Sequence, residues 1–94
     1  MKLLTEYRRN GNDFKLTARR GNAAVFRCDD LADFSPYEVI VIQSHNGREI
    51  MGNTIPPAEY PPSDAQWGSL GWTVKSTKEA LEMMVNLALP EVPS

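Results

Sequence analysis

The 94-residue sequence predicts an α+β fold: a four- or five-stranded antiparallel sheet, meander plus hairpin, with one C-terminal helix packed on one face. Three observations lead there. Alternating polar and apolar residues fill the first 28 positions and are punctuated by Asn10-Gly11 and Gly21-Asn22. An unbroken β-branched run follows at Val39-Ile40-Val41-Ile42. A capped pattern of helical period closes the chain from Ser76 onward.

The first turn signal lies between 3–9 and 14–19. Asn-Gly between alternating stretches is the strongest short hairpin signal, because a type I′ turn needs positive φ at both central residues. Gly21-Asn22 then separates 15–19 from 23–28. Phe14, Leu16 and Ala18 are expected on one side of the second strand, with Lys15, Thr17 and Arg19 on the other. In the third strand Ala24, Phe26 and Cys28 alternate with Ala23, Val25 and Arg27. A period of two marks half-buried antiparallel strands, so 2–28 reads as a three-stranded meander. The polar stretch 29–36 is a turn region, and 37–43 reads as a central strand buried on both faces. Asn46-Gly47 is a second hairpin signal, leading to a short strand near 49–51.

Residues 52–71 are expected to be irregular, since Pro56, Pro57, Pro61 and Pro62 oppose regular structure. One short helical turn at 63–67, capped by Ser63, and a loop pinned through Tyr60, Trp67 and Trp72 are expected there. Ser76-Thr77-Lys78-Glu79 matches a capping box, and Ala80, Leu81, Met84, Leu87 and Ala88 recur at helical spacing before Pro90. The expected core comprises Phe14, Leu16, Phe26, Val39, Val41, Trp72, Leu81, Met84 and Leu87.

The length is that of one domain, expected over 1–89, with 90–94 a frayed tail. No apolar run approaches the ~18–20 residues that span a bilayer, so no membrane partner is expected. Glu6, Arg8 and Arg9 interrupt any signal-peptide core. A lone cysteine, Cys28, makes no internal disulfide. The expected location is cytoplasmic.

Charge is divided along the chain. Residues 1–28 hold seven basic residues against two acidic, a balance of +5, and residues 29–94 hold three against ten, a balance of −7. Such asymmetry speaks to partners and not to fold. Arg8 and Arg9 precede the first turn and Arg19 and Arg20 the second, which places the pairs at opposite ends of the meander. Lys15 and Arg19 are expected to share a face. A basic strip with Tyr7 nearby suits a phosphate backbone; as a solvated sheet face it blunts edge strands, and as an interface it meets a protein. Exposed charges of this kind are expected to be dispensable for folding.

Catalytic chemistry has little to stand on. Zinc needs about four His or Cys ligands, and the chain has His45 and Cys28 alone. Asp29, Asp30 and Asp33 lack the glycine and distal glutamate of a calcium loop and read as turn caps. Cys28 reads as a small buried residue and His45 as part of a turn. No nucleophile-elbow, phosphate-loop or dinucleotide motif is present. The stretch from Pro56 to Pro62 lacks the spacing that polyproline grooves read and is taken as a packed surface loop.

Tyr37-Glu38-Val39, the loop Pro56-Pro57-Ala58-Glu59-Tyr60-Pro61-Pro62-Ser63 and the segment Trp67-Gly68-Ser69-Leu70-Gly71-Trp72-Thr73-Val74-Lys75-Ser76 together resemble small uncharacterised proteins of phages, prophages and mobile elements. The resemblance covers 12–88 and implies a compact accessory protein that binds a host or phage macromolecule. It carries over no functional residue. The expectation is a small non-enzymatic, phage-like binding protein without cofactor or metal, acting by protein-protein contacts with a host or phage protein and able to form a homodimer. Its expected contact residues are Arg8, Arg9, Arg19, Arg20, Tyr60 and Trp67, since arginines and aromatics anchor interfaces. The alternative is a nucleic-acid-binding protein that uses the basic meander.

Overall fold

The computed structural model describes residues 2–31 and 33–88; the expected tail and the end of the expected domain lie outside them. Its elements are β1 (Glu6–Arg9), β2 (Asn12–Arg20), β3 (Ala23–Arg27), β4 (Tyr37–Val41), β5 (Gln43–His45), β6 (Arg48–Ile50), β7 (Asn53–Ile55), β8 (Ala58–Tyr60), β9 (Gly71–Val74) and α1 (Thr77–Ala88). Five strands form one antiparallel sheet in the order β1-β2-β3-β4-β9. The helix packs on it, as the sequence predicts.

Turn chemistry and packing set the register. Asn10 and Gly11 have φ of 53° and 80°, the type I′ geometry that closes β1 onto β2. Asparagine tolerates that region and glycine has no Cβ to oppose it. Strand β2 departs from strict alternation. A register shift between Leu16 and Ala18 marks a bulge at Thr17. The extra residue reverses the facing of everything after it. Phe14 and Leu16 therefore face one side, while Ala18 joins the cluster under the helix. Lys15 pairs with Arg27 on the helix face, and Arg19 pairs with Ala24 on the opposite face. The expectation that Lys15 and Arg19 share a face fails for this reason.

Strand β3 is buried on both faces, not one. Ala23 and Val25 lie under α1 with Val39, Ala80 and Met84. Ala24, Phe26 and Cys28 lie on the other side with Leu4, Phe14, Ile40 and Ile42. Strand β4 is likewise central, between β3 and β9. Helix α1 begins with the Ser76 hydroxyl accepting from the Glu79 amide at 3.1 Å, the serine half of the expected box. Ala80 and Met84 carry its buried face, and Leu81 is exposed. Phe14, Phe26, Val39 and Met84 are core as expected; Leu16, Val41, Trp72 and Leu87 are half-buried.

The face opposite the helix is covered by the N-terminal segment and by the long excursion between β4 and β9. Strand β5 pairs with β8, and β6 pairs with β7. Residues 43–60 thus form one long bent hairpin, here termed the arm. Asn46-Gly47 is its kink and not its turn. Gly47 has φ of 89°, and a Cβ there would lie 2.9 Å from the Ile55 carbonyl oxygen. The turn is Met51-Gly52, with φ of 50° and 82°. The prolines do not forbid strands here, because they flank them: β7 ends before Pro56, and β8 runs between Pro57 and Pro61. The base of the arm is held by main-chain bonds, Lys2 N–H to Pro57 O at 3.2 Å and Glu59 N–H to Lys2 O at 3.0 Å. The residues from 49 to 57 are all exposed.

The return to the sheet uses the expected turn. The Ser63 amide donates to Gln66 Oε1 at 2.9 Å, and the 3-10 turn Asp64–Gln66 ends at Trp67. The Trp67 ring lies on Gly71, where a Cβ would stand 2.5 Å from it. Glycine is required at 71 because any side chain would occupy the place of the indole.

Candidate interaction surfaces

The six residues expected at a contact surface divide between inward ties and solvent, with Arg9 and Trp67 brought together. Arg9 points into the molecule, on the face away from the helix. Its Nη1 donates to Glu38 Oε2 at 2.5 Å and its Nε to Asp64 Oδ1 at 3.0 Å. Its guanidinium lies 3.8 Å from the centroid of the Trp67 ring. Trp67 is held in turn by Nε1 donating to Thr73 Oγ1 at 3.3 Å. Arg19 is also internal. The bulge in β2 aims it at the arm, where it makes a two-pronged pair with Glu59 at 2.6 and 2.7 Å. Glu59 Oε1 also accepts from the Leu4 amide at 2.9 Å, so one carboxylate ties the arm, β2 and the N-terminal segment together. Arg8 stays at the surface, 3.5 Å from Asp13, and Arg20 is exposed. Tyr60 is exposed beside His45, with ring centroids 5.9 Å apart.

Glu38 is the acid at the centre of this arrangement. It sits in an otherwise apolar strand, and its side chain is 2% exposed. The Tyr7 hydroxyl donates to its Oε1 at 2.6 Å, and the Tyr7 ring stacks on Phe26 at 4.7 Å. Burial pushes the Glu38 carboxyl above its ordinary value, against the pull of Tyr7 and Arg9. Burial, and then the bond to Glu38, hold the Tyr7 hydroxyl far above its own. Glu59 moves the other way: the Arg19 bond lowers it, more than burial raises it. The two acids therefore act oppositely on stability. The Glu59 contribution is present above the ordinary carboxylate range and is lost as pH falls toward its lowered value. The Glu38 contribution is present below that range and is lost as pH rises toward its raised value. Acids shifted by burial can mark functional sites, but both oxygens of Glu38 already have partners within the protein.

The other candidates separate. Cys28 is buried just beyond β3, at the end of the sheet where β4 begins. His45 lies beyond the opposite end, in the arm, where Nδ1 accepts from the Gly47 amide at 3.1 Å. They do not form a nucleophile and base. Asp29 pairs with Arg27, and no group of three or more His, Cys, Asp or Glu side chains gathers among the described residues.

What stands out to solvent is apolar, and sequence reasoning missed it. Met51 at the tip of the arm is 95% exposed, with Ile50 and Ile55 beside it. Phe34 is 73% exposed beside a cleft of about 190 Å³, lined by Phe14 and Leu31 and by the polar residues Arg9, Asn10, Asn12, Ser35, Glu38 and Thr73. The available signal was a Met-Gly turn at 51–52, where turn chemistry favours Asn-Gly. No helix among the described residues is long and apolar enough to cross a membrane. In comparisons with protein-family models, curated proteins and solved structures, the chain matches none.

Proposed function

We propose that this is a small non-enzymatic binding protein that acts through protein-protein contacts. The observation that carries the reading is the set of large apolar side chains left in solvent, Met51 and Phe34 foremost. Burying one such side chain is worth about 1.5–3 kcal/mol, which is the currency of protein interfaces. The arginines support a polyanion partner less well, because Arg9, Arg19 and Arg27 each have an acid at hand. Affinity capture of the tagged protein from its host, with and without nuclease, tests the reading. Nuclease-resistant capture, lost when Met51 and Phe34 are replaced by serine in a protein that still melts cooperatively, is the expected result. Capture that nuclease abolishes would overturn it.

One observation favours the nucleic-acid alternative. The bulge places Arg20 on the same face as Arg8, Lys15 and Arg27, although Glu6 and Asp13 stand among them. That reading requires binding to DNA or RNA that weakens steeply with salt and fails in Arg8→Glu with Arg20→Glu.

A further inference from the structure

The chain holds two Asn-Gly dipeptides, at 10–11 and 46–47, and the fold treats their amides differently. Asn-Gly carries a reaction of its own. The glycine nitrogen attacks the asparagine side-chain carbonyl carbon, and the missing Cβ of glycine leaves the approach open. An amide N–H is a poor nucleophile, so a base at its hydrogen relieves the slow step. At 10–11 no such base is placed. Asn10 is held at φ of 53° in a closed type I′ turn, flanked by the paired residues Arg9 and Asn12. The side-chain bonds at that turn go to the Gly11 and Asn10 carbonyls, from Arg8 and Asn12.

At 46–47 the amide faces an imidazole. The Gly47 N–H donates to His45 Nδ1 at 3.1 Å. Accepting that bond requires a lone pair on Nδ1, which is the form in which imidazole takes up a proton. The ring is held in place: His45 pairs with Ala58 in the β5–β8 ladder and lies 5.9 Å from the Tyr60 ring, centroid to centroid. Asn46 is exposed and lies between β5 and β6, outside both ladders.

We propose that Asn46 is a self-modification site, deamidated through a succinimide with His45 as the base and water as the second reactant. The Gly47 nitrogen bonds to Cγ of Asn46 and passes its proton to His45 Nδ1. The adduct collapses with loss of the side-chain amino group, which takes a proton back from the imidazole and leaves as ammonia. Water then opens the five-membered ring. Attack at Cγ breaks the new bond and gives aspartate; attack at the main-chain carbonyl breaks the old peptide bond and gives isoaspartate. One water is taken up, one ammonia is released, and no atom changes oxidation state. The isoaspartate product adds a methylene to the main chain at the kink of the arm. That kink is tight, since a Cβ on Gly47 would already stand 2.9 Å from the Ile55 carbonyl oxygen. Strands β6 and β7 pair only with each other, so conversion loosens them. The inference goes beyond the proposed function and does not rest on it.

The purified protein is incubated near neutral pH, and conversion at Asn46 and Asn10 is followed in the same molecules by peptide mass spectrometry. Asn46 should convert faster than Asn10. His45→Phe keeps a ring beside Tyr60 but takes up no proton. It should slow Asn46 by about tenfold or more, short of the ~10²–10⁴ of a base in a dedicated active site, and leave Asn10 unchanged. His45→Gln keeps an acceptor for the Gly47 amide without the base, and should be as slow. Misfolding cannot imitate this result, because a loosened chain deamidates faster. If the bond only pins the amide, the Gln variant converts like the wild type and the Phe variant converts faster; either result would overturn the proposal. So would conversion at Asn46 no faster than at Asn10 in the unaltered protein. Amide hydrogen exchange should quicken over β6 and β7 after conversion and stay the same in β2 and β3; exchange unchanged in the arm would refute the loosening.

Discussion

Two arginines one residue apart have opposite meanings in this protein. Arg8 faces solvent and Asp13, and Arg9 faces a carboxylate that water barely reaches. Removing one member of a buried pair leaves the other charged and unsolvated, which costs about 3–5 kcal/mol. Arg9→Ala should lose stability on that scale, whereas Arg8→Ala should change it by no more than about 1 kcal/mol. Urea unfolding of the two variants reads the difference. Adding Glu38→Leu to Arg9→Ala should recover much of the loss, since the unpaired acid is then gone; a double variant no better than the single would place the cost in the stacking of Arg9 on Trp67. Replacing Arg8, Arg9, Arg19 and Arg20 together is therefore not neutral for folding, because Arg9 and Arg19 are 22% and 24% exposed and hold acids that are 2% and 6% exposed.

At the scale of elements, Gly71 decides how the excursion returns to the sheet. A Cβ at that position meets the six-membered ring of Trp67. Gly71→Ala should displace the indole, disturb its stacking on Arg9 and cost about 1–3 kcal/mol through overpacking. A shift in tryptophan fluorescence together with a lowered unfolding midpoint would register this. Fluorescence and midpoint both unchanged would mean that the turn at 67–70 adjusts freely. The elements legible in the sequence were those whose signals are local. Asn10-Gly11 specified its turn, Ser76 capped its helix, and the β-branched run made a central strand. The bulge at Thr17 was not legible, because nothing local distinguishes a bulge from an ordinary strand residue there. Its consequence was large, since it reassigned Arg19 from a solvent face to an anchor for the arm. Asn46-Gly47 misled for a related reason: a dipeptide that can turn a hairpin can also kink one, and the pairing of β5 with β8 decided between them. The buried acids had a signal of a kind. Glu38 stands in a strand that must be buried on both faces, so it had to find a partner.

At the scale of the whole molecule, the division of charge along the chain becomes a set of ties across it. Arg9 reaches Glu38 and Asp64, and Arg19 reaches Glu59, each pairing the basic first third with the acidic remainder. The ties bear on time as well as stability. Strands β1 to β4 are neighbours in sequence, whereas β9 joins β4 only after residues 42–70 are looped out. Closing a loop of that length costs about 2 kcal/mol more than closing one of the two-residue turns, so β9 and α1 should dock late. In stopped-flow experiments Val25→Ala should therefore slow folding, and Val74→Ala should mainly hasten unfolding. On the ribosome the same order is enforced by direction. The meander is complete while the helix is still unmade, and Ala23, Val25 and Val39 wait bare on a growing chain. The interval between the emergence of β4 and that of α1 is the period in which this protein is most exposed to aggregation and to chaperones.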